Sequence, residues 1–168
     1  YLALTAAEVL GTRALSVTAD SESYPERHRA MARDIAARFG IRHEIIHTDE
    51  LADPDYLENA PSRCFHCKTE LYSHMRVLAG ELGFTQLANG TNVDDLGDFR
   101  PGLQAATDHI VLSPLVECGI GKQGVRQLAL DWGLEVWDKP ASPCLSSRVV
   151  YGLEITPERL ARIDAAEA

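Results

Sequence analysis

The chain has 168 residues, of which 45% are hydrophobic, enough for one α/β core but not for two complete domains. Its formal net charge of -9 does not suit a general nucleic-acid-binding surface, which needs clustered Lys and Arg. No apolar run reaches the roughly 18 residues of a membrane span, and no signal peptide is visible. We therefore expect a cytoplasmic protein that acts on a small molecule, without a nucleic-acid or membrane partner.

Apolar runs alternate with helical patterns along the chain, which is typical of βαβ units in an open, mostly parallel sheet flanked by helices. The sequence begins within a helical pattern at 1–10 and ends within another at 157–168, so we interpret it as a truncated chain. Between them the patterns predict strand 14–19, helix 25–39, strand 42–47, helix 67–82, strand 85–88, an irregular polar segment 89–100, strand 109–112, helix 122–132 and a loop 137–152. His28, in a charged helix, is predicted to lie on the surface.

Polar residues follow the predicted strands, where ligands bind in an open parallel sheet. Asp20 and Ser21 follow the first strand, and the polar segment 89–100, with Gly90, Thr91 and Asn92, follows a later one. The segment from Cys64 to Lys68 leads into a helix whose N-terminal dipole stabilises a thiolate or a phosphate. Asp20 and Ser21 are equally compatible with ordinary turn residues.

The cysteines indicate metal or sulfur chemistry. Cys64 and Cys67 form a Cys-x-x-Cys pair, which is compatible with half a zinc site, a thioredoxin-like redox pair or two buried cysteines. Together with Cys144 they make three thiolates, a number that holds a four-iron four-sulfur cluster with one iron left open. Cys118 has no partner nearby in sequence, and we expect a structural role for it.

A second candidate site lies in the acidic part of the polar segment. Asp94 and Asp95 offer carboxylates for a magnesium ion, and Arg100 offers a guanidinium for phosphate. The alternative is a solvated acidic loop, especially for Asp98.

Several motifs together resemble the LarE family of ATP-dependent sulfur transferases, in the adenine nucleotide alpha hydrolase-like, PP-loop group. In chain order they are RCFHCKTELY (63–72), NGTNVDD (89–95), FRPGL (99–103), SPL (113–115), WDKPA (137–141), CLSSR (144–148) and YG (151–152). The resemblance covers almost the whole chain. It implies a Rossmann-like PP-loop fold, with a nucleotide-binding domain over 1–152 and the start of a C-terminal substrate and oligomerisation region over 153–168.

The resemblance also implies a reaction in nickel-pincer nucleotide biosynthesis. ATP adenylates a carboxylate of pyridinium-3,5-biscarboxylic acid mononucleotide, and sulfur then displaces AMP to leave a thiocarboxylate. In some members a protein cysteine gives up its sulfur. Others carry three cysteines like Cys64, Cys67 and Cys144, which implies a cluster here and makes Cys144 a ligand.

Further roles follow from the resemblance for single residues. Lys68 matches a family lysine near a phosphate, Arg148 is a second anion contact, and Asp20 and Ser21 face the adenosine. Homo-oligomers are expected. The Ser-Gly-Gly-x-Asp-Ser phosphate loop of the group is absent from these residues, and we expect it before the first helix. Alternatives are another PP-loop enzyme, such as a tRNA thiolase or an amidotransferase-type synthetase, and a non-catalytic metal-binding module.

Overall fold

The computed structural model describes residues 1–167 and consists of helices around short parallel strands. The helices are α1 (Leu2–Leu10), α2 (Glu26–Arg38), α3 (Pro54–Leu57), α4 (Arg63–Leu82), α5 (Gly102–Asp108), α6 (Pro114–Glu117), α7 (Lys122–Asp131) and α8 (Pro157–Glu167). The strands are β1 (Ser16–Asp20), β2 (His43–His47), β3 (Leu87–Ala88) and β4 (Val111–Leu112). Short 3₁₀ helices occupy Gly11–Arg13, Glu50–Ala52, Val93–Gly97 and Leu145–Arg148.

Both strand pairings are parallel, which confirms the predicted α/β class. β1 pairs with β2 from Ser16 opposite His43 to Asp20 opposite His47, and β3 pairs with β4 over two residues. The crossover from β1 to β2 is made by α2, which packs on β1. Within residues 1–167 the strands form two separate pairs, not one continuous sheet.

Helix α4 begins four residues earlier than predicted. The apolar periodicity used for the prediction starts after Cys67, whereas the helix already begins at Arg63, just after Pro61-Ser62. It ends at Leu82, followed by Gly83 in the left-handed conformation at φ 77°. The Cys-x-x-Cys pair therefore lies inside the first two turns of α4 and not in a loop before it.

Three small apolar clusters hold the helices together, and one of them supports the cysteines. Its buried members are Tyr56, Leu145, Val149, Ile155 and Leu160, and Cys67 packs against it. The cluster joins α3, α4, the Leu145–Arg148 turn and α8. No described helix has both the length and the apolar composition to cross a membrane.

The prediction that His28 lies on the surface is wrong. The side chain lies on α2 beside Tyr24 and is buried, because the face of α2 that carries it turns inward. Burial, together with the charges of Lys139 and Arg27, lowers the pKa of His28.

Candidate functional site

The buried carboxylate of Glu50 connects the end of β1 to the cysteine motif. Its Oε1 accepts hydrogen bonds from Ser21 Oγ at 3.2 Å, Ser23 Oγ at 3.5 Å and Cys67 Sγ at 3.4 Å. Its Oε2 accepts a hydrogen bond from Thr48 Oγ1 at 3.4 Å. Glu50 is 5% exposed, so these four donors replace the water that a carboxylate otherwise binds. The sequence predicted Ser21 and Cys67 but not the acid that brings them together.

The thiol of Cys67 lies in apolar surroundings next to a negative charge. Burial raises the pKa of Cys67, the carboxylate of Glu50 raises it further, and Lys68 partly opposes both effects. The thiol is therefore protonated near neutral pH and is a poor free nucleophile. A metal ion would have to replace this proton, because cysteine binds metals as the thiolate.

Cys144 lies on the same side of the molecule as Cys67. Its Sγ is 3.3 Å from Ser147 Oγ, and a thiolate at Cys144 would raise the pKa of both Cys67 and Tyr56. Tyr56 Oη forms a 2.6 Å hydrogen bond with Ser146 Oγ in the fully buried interior. Cys64 lies one helical turn before Cys67, at a spacing that places both on one face of α4. All four cysteines of the chain are free thiols.

A buried network, which we call the Asn59–Arg63 network, fixes the Cys144 segment to the start of α4. Asn59 Nδ2 donates to the carbonyls of Val150 at 2.8 Å and Leu153 at 2.9 Å, and is 3.4 Å from that of Val149. Arg63 donates to Asn59 Oδ1 and, at 2.9 Å, to the carbonyl of Ser146. The sequence gave no signal for this network, because its partners are about 80 to 90 residues apart along the chain.

Asp20 already forms contacts with basic side chains of the same chain. This residue ends β1, is 8% exposed and forms an ion pair with Arg29. His47 Nδ1, at the end of β2, lies 3.5 Å from its other oxygen. Asp20 therefore sits at the predicted edge of the sheet, while its contact with an adenosine stays a prediction.

The polar segment 89–100 folds into a turn in which its acidic residues make internal contacts. Asn92 and Asp95 form a capping box for the 3₁₀ helix Val93–Gly97, in which Asp95 Oδ2 accepts a hydrogen bond from the backbone amide of Asn92 at 3.0 Å. Arg100 lies 3.0 Å from Asp95 and 3.3 Å from Asp98. Asp94 accepts from the backbone amide of Lys122 at the start of α7, at 2.6 Å. These carboxylates keep free lone pairs, and a magnesium role for Asp94 stays a prediction.

Two of the predicted site residues border a large cleft. Lys68 and Gly90 both line it, and the Thr91 amide donates to Asn89 Oδ1 at 3.0 Å beside Gly90. Arg148, in contrast, pairs with Glu167 of α8 at 2.6 Å. Its predicted role as an anion contact therefore requires that this exposed pair opens.

One further group of possible metal ligands was missed by the sequence reasoning. Ligand atoms of Asp53, Asp55 and His66 lie within 4.8 Å of one another. His66 belongs to the Cys-x-x-Cys segment, and its Nδ1 is 3.4 Å from Asp53. The histidine beside the cysteines was the available signal, but its acidic partners come from α3 and its N-cap, which only the fold brings close.

The chain was compared with known proteins. No family model matches it. It is 46% identical over 166 residues to an uncharacterized protein of Synechocystis, which covers 99% of the chain and 62% of the relative. It is 32% identical over 163 residues to the pyridinium-3,5-bisthiocarboxylic acid mononucleotide synthase of Lactiplantibacillus plantarum, which covers 96% of the chain and 59% of the synthase.

A third relative is an uncharacterized protein of Methanocaldococcus jannaschii, 27% identical over 132 residues. The chain spans about three fifths of the length of the first two relatives. The match to the synthase extends over nearly all of the residues that carry the motifs described above. It confirms the predicted resemblance to the LarE family.

Proposed function

We propose that this chain is the nucleotide- and sulfur-handling part of an ATP-dependent sulfur transferase. Its substrate would be pyridinium-3,5-biscarboxylic acid mononucleotide. It would convert a carboxylate of this nucleotide to a thiocarboxylate, as a step in nickel-pincer cofactor synthesis. The observation that carries the proposal is the shared contact of Ser21 and Cys67 with Glu50 Oε1. It joins the strand end expected to face the adenosine to the cysteine expected to handle sulfur.

The reaction consists of two displacements. A carboxylate oxygen attacks the α-phosphate of ATP, and pyrophosphate leaves. A sulfur nucleophile then attacks the activated carbonyl, and AMP leaves with the electron pair of the carbon–oxygen bond. AMP is a far better leaving group than the oxide of a free carboxylate, which is why ATP is needed.

The charged side chains would position the anions of this reaction. Lys68 projects from α4 toward the large cleft, with its exposed side chain free to reach a phosphate. Asp94, and Asp95 beside it, would hold magnesium between the phosphates, and Arg100 would neutralise phosphate charge. Arg148 would contact the substrate phosphate once released from Glu167. Asp20, Ser21, Gly90, Thr91 and Asn92 would surround the nucleotide.

The donor set fits a three-cysteine iron–sulfur cluster. Cys64 and Cys67 lie on one face of α4, and Arg63 at the start of α4 holds the Cys144 segment through the carbonyl of Ser146 at 2.9 Å. These three cysteines would hold a four-iron four-sulfur cluster as thiolates, and such a cluster would supply an open iron for an extra sulfide. The alternative sulfur source is Cys144 itself, whose Cβ–S bond would break with loss of the Cα proton and leave dehydroalanine. We place this chemistry in the cytoplasm, in a homo-oligomer.

Iron content tests the cluster directly. Longer protein purified without oxygen should be brown and contain about four irons per chain. Cys64→Ala, Cys67→Ala and Cys144→Ala should each lose the iron, whereas Cys118→Ala is the matched control and should keep it, because Cys118 is exposed at the end of α6. A colourless protein that loses one hydrogen sulfide from Cys144 during turnover would instead support the sacrificial route.

The activity is tested by mass spectrometry. The longer protein is incubated with ATP, magnesium and the biscarboxylated nucleotide, with a sulfide source and without one. Replacement of oxygen by sulfur in the nucleotide, together with AMP and pyrophosphate, is the expected result. Absence of a thiocarboxylate under both conditions would refute the proposed function.

A further inference from the structure

The start of α3 and the start of α4 bring an imidazole and two carboxylates together. Asp53 is the N-cap of α3, Asp55 lies in the first turn of α3, and His66 lies in the first turn of α4. Each of the three offers a ligand atom that lies within 4.8 Å of the other two. We call these three residues the α3–α4 site. The reaction proposed above uses none of them.

The geometry of α4 separates this site from the cysteines. With 3.6 residues per turn, Cys64 and Cys67 lie about 60° apart around the helix axis, whereas His66 lies about 160° from Cys64 and about 100° from Cys67. His66 accordingly contacts Asp53, while Cys67 contacts Glu50. The α3–α4 site therefore uses another face of α4 and shares no ligand with the proposed cluster.

The carboxylate of Asp53 is oriented by the backbone of α3. Its Oδ1 accepts a hydrogen bond from the Asp55 amide at 2.9 Å, which caps the helix. Its Oδ2 is left facing His66, whose Nδ1 is 3.4 Å away. The His66 ring packs edge-on against Phe65, with 5.6 Å between the ring centroids, and its side chain is only 21% exposed. Two of the three ligands are therefore held in place without an ion.

The distance between these two atoms suits two ligands of one ion better than a direct hydrogen bond. An N–H···O hydrogen bond measures roughly 2.7–3.2 Å, and the contact between His66 Nδ1 and Asp53 Oδ2 is longer, at 3.4 Å. Two tetrahedral ligands at zinc bond lengths of roughly 2.0–2.1 Å lie about 3.3–3.4 Å apart. An ion could therefore bind both atoms with almost no movement of either. Asp55 is exposed, so its side chain can rotate to complete the set.

A cavity beside the site has room for the rest of a coordination shell. It has a volume of about 320 Å³, and Asp53, His66 and Thr69 line it. Thr69 follows His66 by one turn of α4, and its buried hydroxyl has no hydrogen-bond partner among residues 1–167. A buried polar group without a partner calls for a water or an ion nearby. A water bound to an ion in this cavity would supply the missing partner, and this observation is independent of the charges of the site.

We propose that the α3–α4 site binds one divalent transition-metal ion of the class to which zinc belongs, through Asp53, Asp55 and His66. An imidazole ligand favours zinc, iron, nickel or copper over magnesium and calcium, which prefer oxygen ligands alone. The two carboxylates balance the two charges of the ion, and a water in the cavity completes a four-coordinate shell. The ion ties α3 to the helix that carries the Cys-x-x-Cys pair. The site does not depend on the sulfur chemistry.

Titration of the longer protein with cobalt(II), in the absence of iron, tests the proposal. Thiolate ligands give cobalt intense charge-transfer absorption, whereas carboxylate and imidazole ligands give only weak visible bands. One cobalt per chain should bind without the thiolate absorption, and zinc but not magnesium should displace it.

Two pairs of variants locate this cobalt. Asp55→Asn and His66→Gln should each weaken its binding by more than about a hundredfold, which exceeds the usual effect of losing an outer-shell partner. Glu58→Gln, at the end of α3, and His74→Gln, two turns further along α4, are the matched controls and should bind cobalt as the unchanged protein does.

Three results would overturn the proposal. Thiolate absorption from all of the bound cobalt would assign the metal to the cysteines. Displacement by magnesium as readily as by zinc would show an acidic surface that holds any cation. Unchanged binding in Asp55→Asn would exclude the site, and because Asp55 is exposed this variant should keep the fold even if His66→Gln does not.

Discussion

Replacing Asn59 by alanine should loosen the segment that carries Cys144 from the start of α4. Asn59 is fully buried, and its amide group donates to the carbonyls of Val150 and Leu153 at 2.8 and 2.9 Å. Its Oδ1 accepts from Arg63, which also holds the carbonyl of Ser146. Alanine removes all of these contacts except the last.

The expected loss of stability follows from two contributions. Two well-formed hydrogen bonds contribute roughly 0.5–1.5 kcal/mol each to the free energy of unfolding. Asn59 also has a left-handed backbone at φ 53°, which costs alanine roughly 1–2 kcal/mol more. Together these contributions predict that Asn59→Ala lowers the free energy of unfolding by roughly 2–5 kcal/mol.

Asn59→Gly separates the two contributions. Glycine tolerates the left-handed conformation, so this variant should be about 1 kcal/mol more stable than Asn59→Ala in urea unfolding. Both variants should also increase the reaction rate of Cys144 with an aromatic disulfide, while the exposed Cys118 reacts as before. A loss below about 1 kcal/mol in both variants, with Cys144 unchanged, would refute the role of the network.

Three further predictions concern the core. Tyr56→Phe removes the buried hydrogen bond to Ser146 and should lower the free energy of unfolding in urea by about 1–2 kcal/mol. No loss would mean that the Ser146 hydroxyl finds another partner. Leu160→Ala should lower the free energy of unfolding by roughly 2–5 kcal/mol in a single transition, because this 1% exposed side chain packs in the cluster with Tyr56. A separate early transition would show that α8 unfolds independently of the rest. The pKa of His28 is lowered in the folded state, whereas an unfolded histidine has a pKa of about 6.5. Below about pH 6.5 the unfolded chain therefore binds more protons than the folded one, and stability is lost as the pH falls through that value. His28→Gln should reduce the difference in unfolding free energy between about pH 7.5 and pH 5.5, and an unchanged difference would contradict this assignment.

Local patterns predicted five of the eight described helices and the parallel direction of the strands, but not which strands pair. The helix predicted at 25–39 is observed as α2 over Glu26–Arg38, because Pro25 and Gly40 mark its ends in the sequence itself. The predicted strands 85–88 and 109–112 were too long, and only two residues of each form a ladder. Strand length depends on the neighbouring strand, and among residues 1–167 β3 has a partner on one side only.

The candidate site was predictable where the chemistry lies in one motif. Cys64, Cys67 and the polar segment 89–100 are recognisable because their residue types are unusual at that spacing. Glu50 was not recognisable, since a single acidic residue after a strand is common on protein surfaces. Only the fold buries it against Thr48 and Cys67. His28 was misjudged for the related reason that charged neighbours on a helix do not reveal which face turns inward.

The arrangement around Glu50 bears on how the two halves of the proposed reaction meet. An acyl-adenylate must be attacked by sulfur before water reaches it, so the nucleotide and the sulfur source have to converge within one small volume. Ser21 approaches from the end of β1 and Cys67 from α4, and both bind the same carboxylate oxygen. The Asn59–Arg63 network fixes the Cys144 segment to the first turn of α4. Cys144 is therefore held in place by the helix that contains Cys64 and Cys67. If the proposed reaction is correct, a shift of α4 would move Cys64, Cys67 and Cys144 together relative to Ser21 at the end of β1.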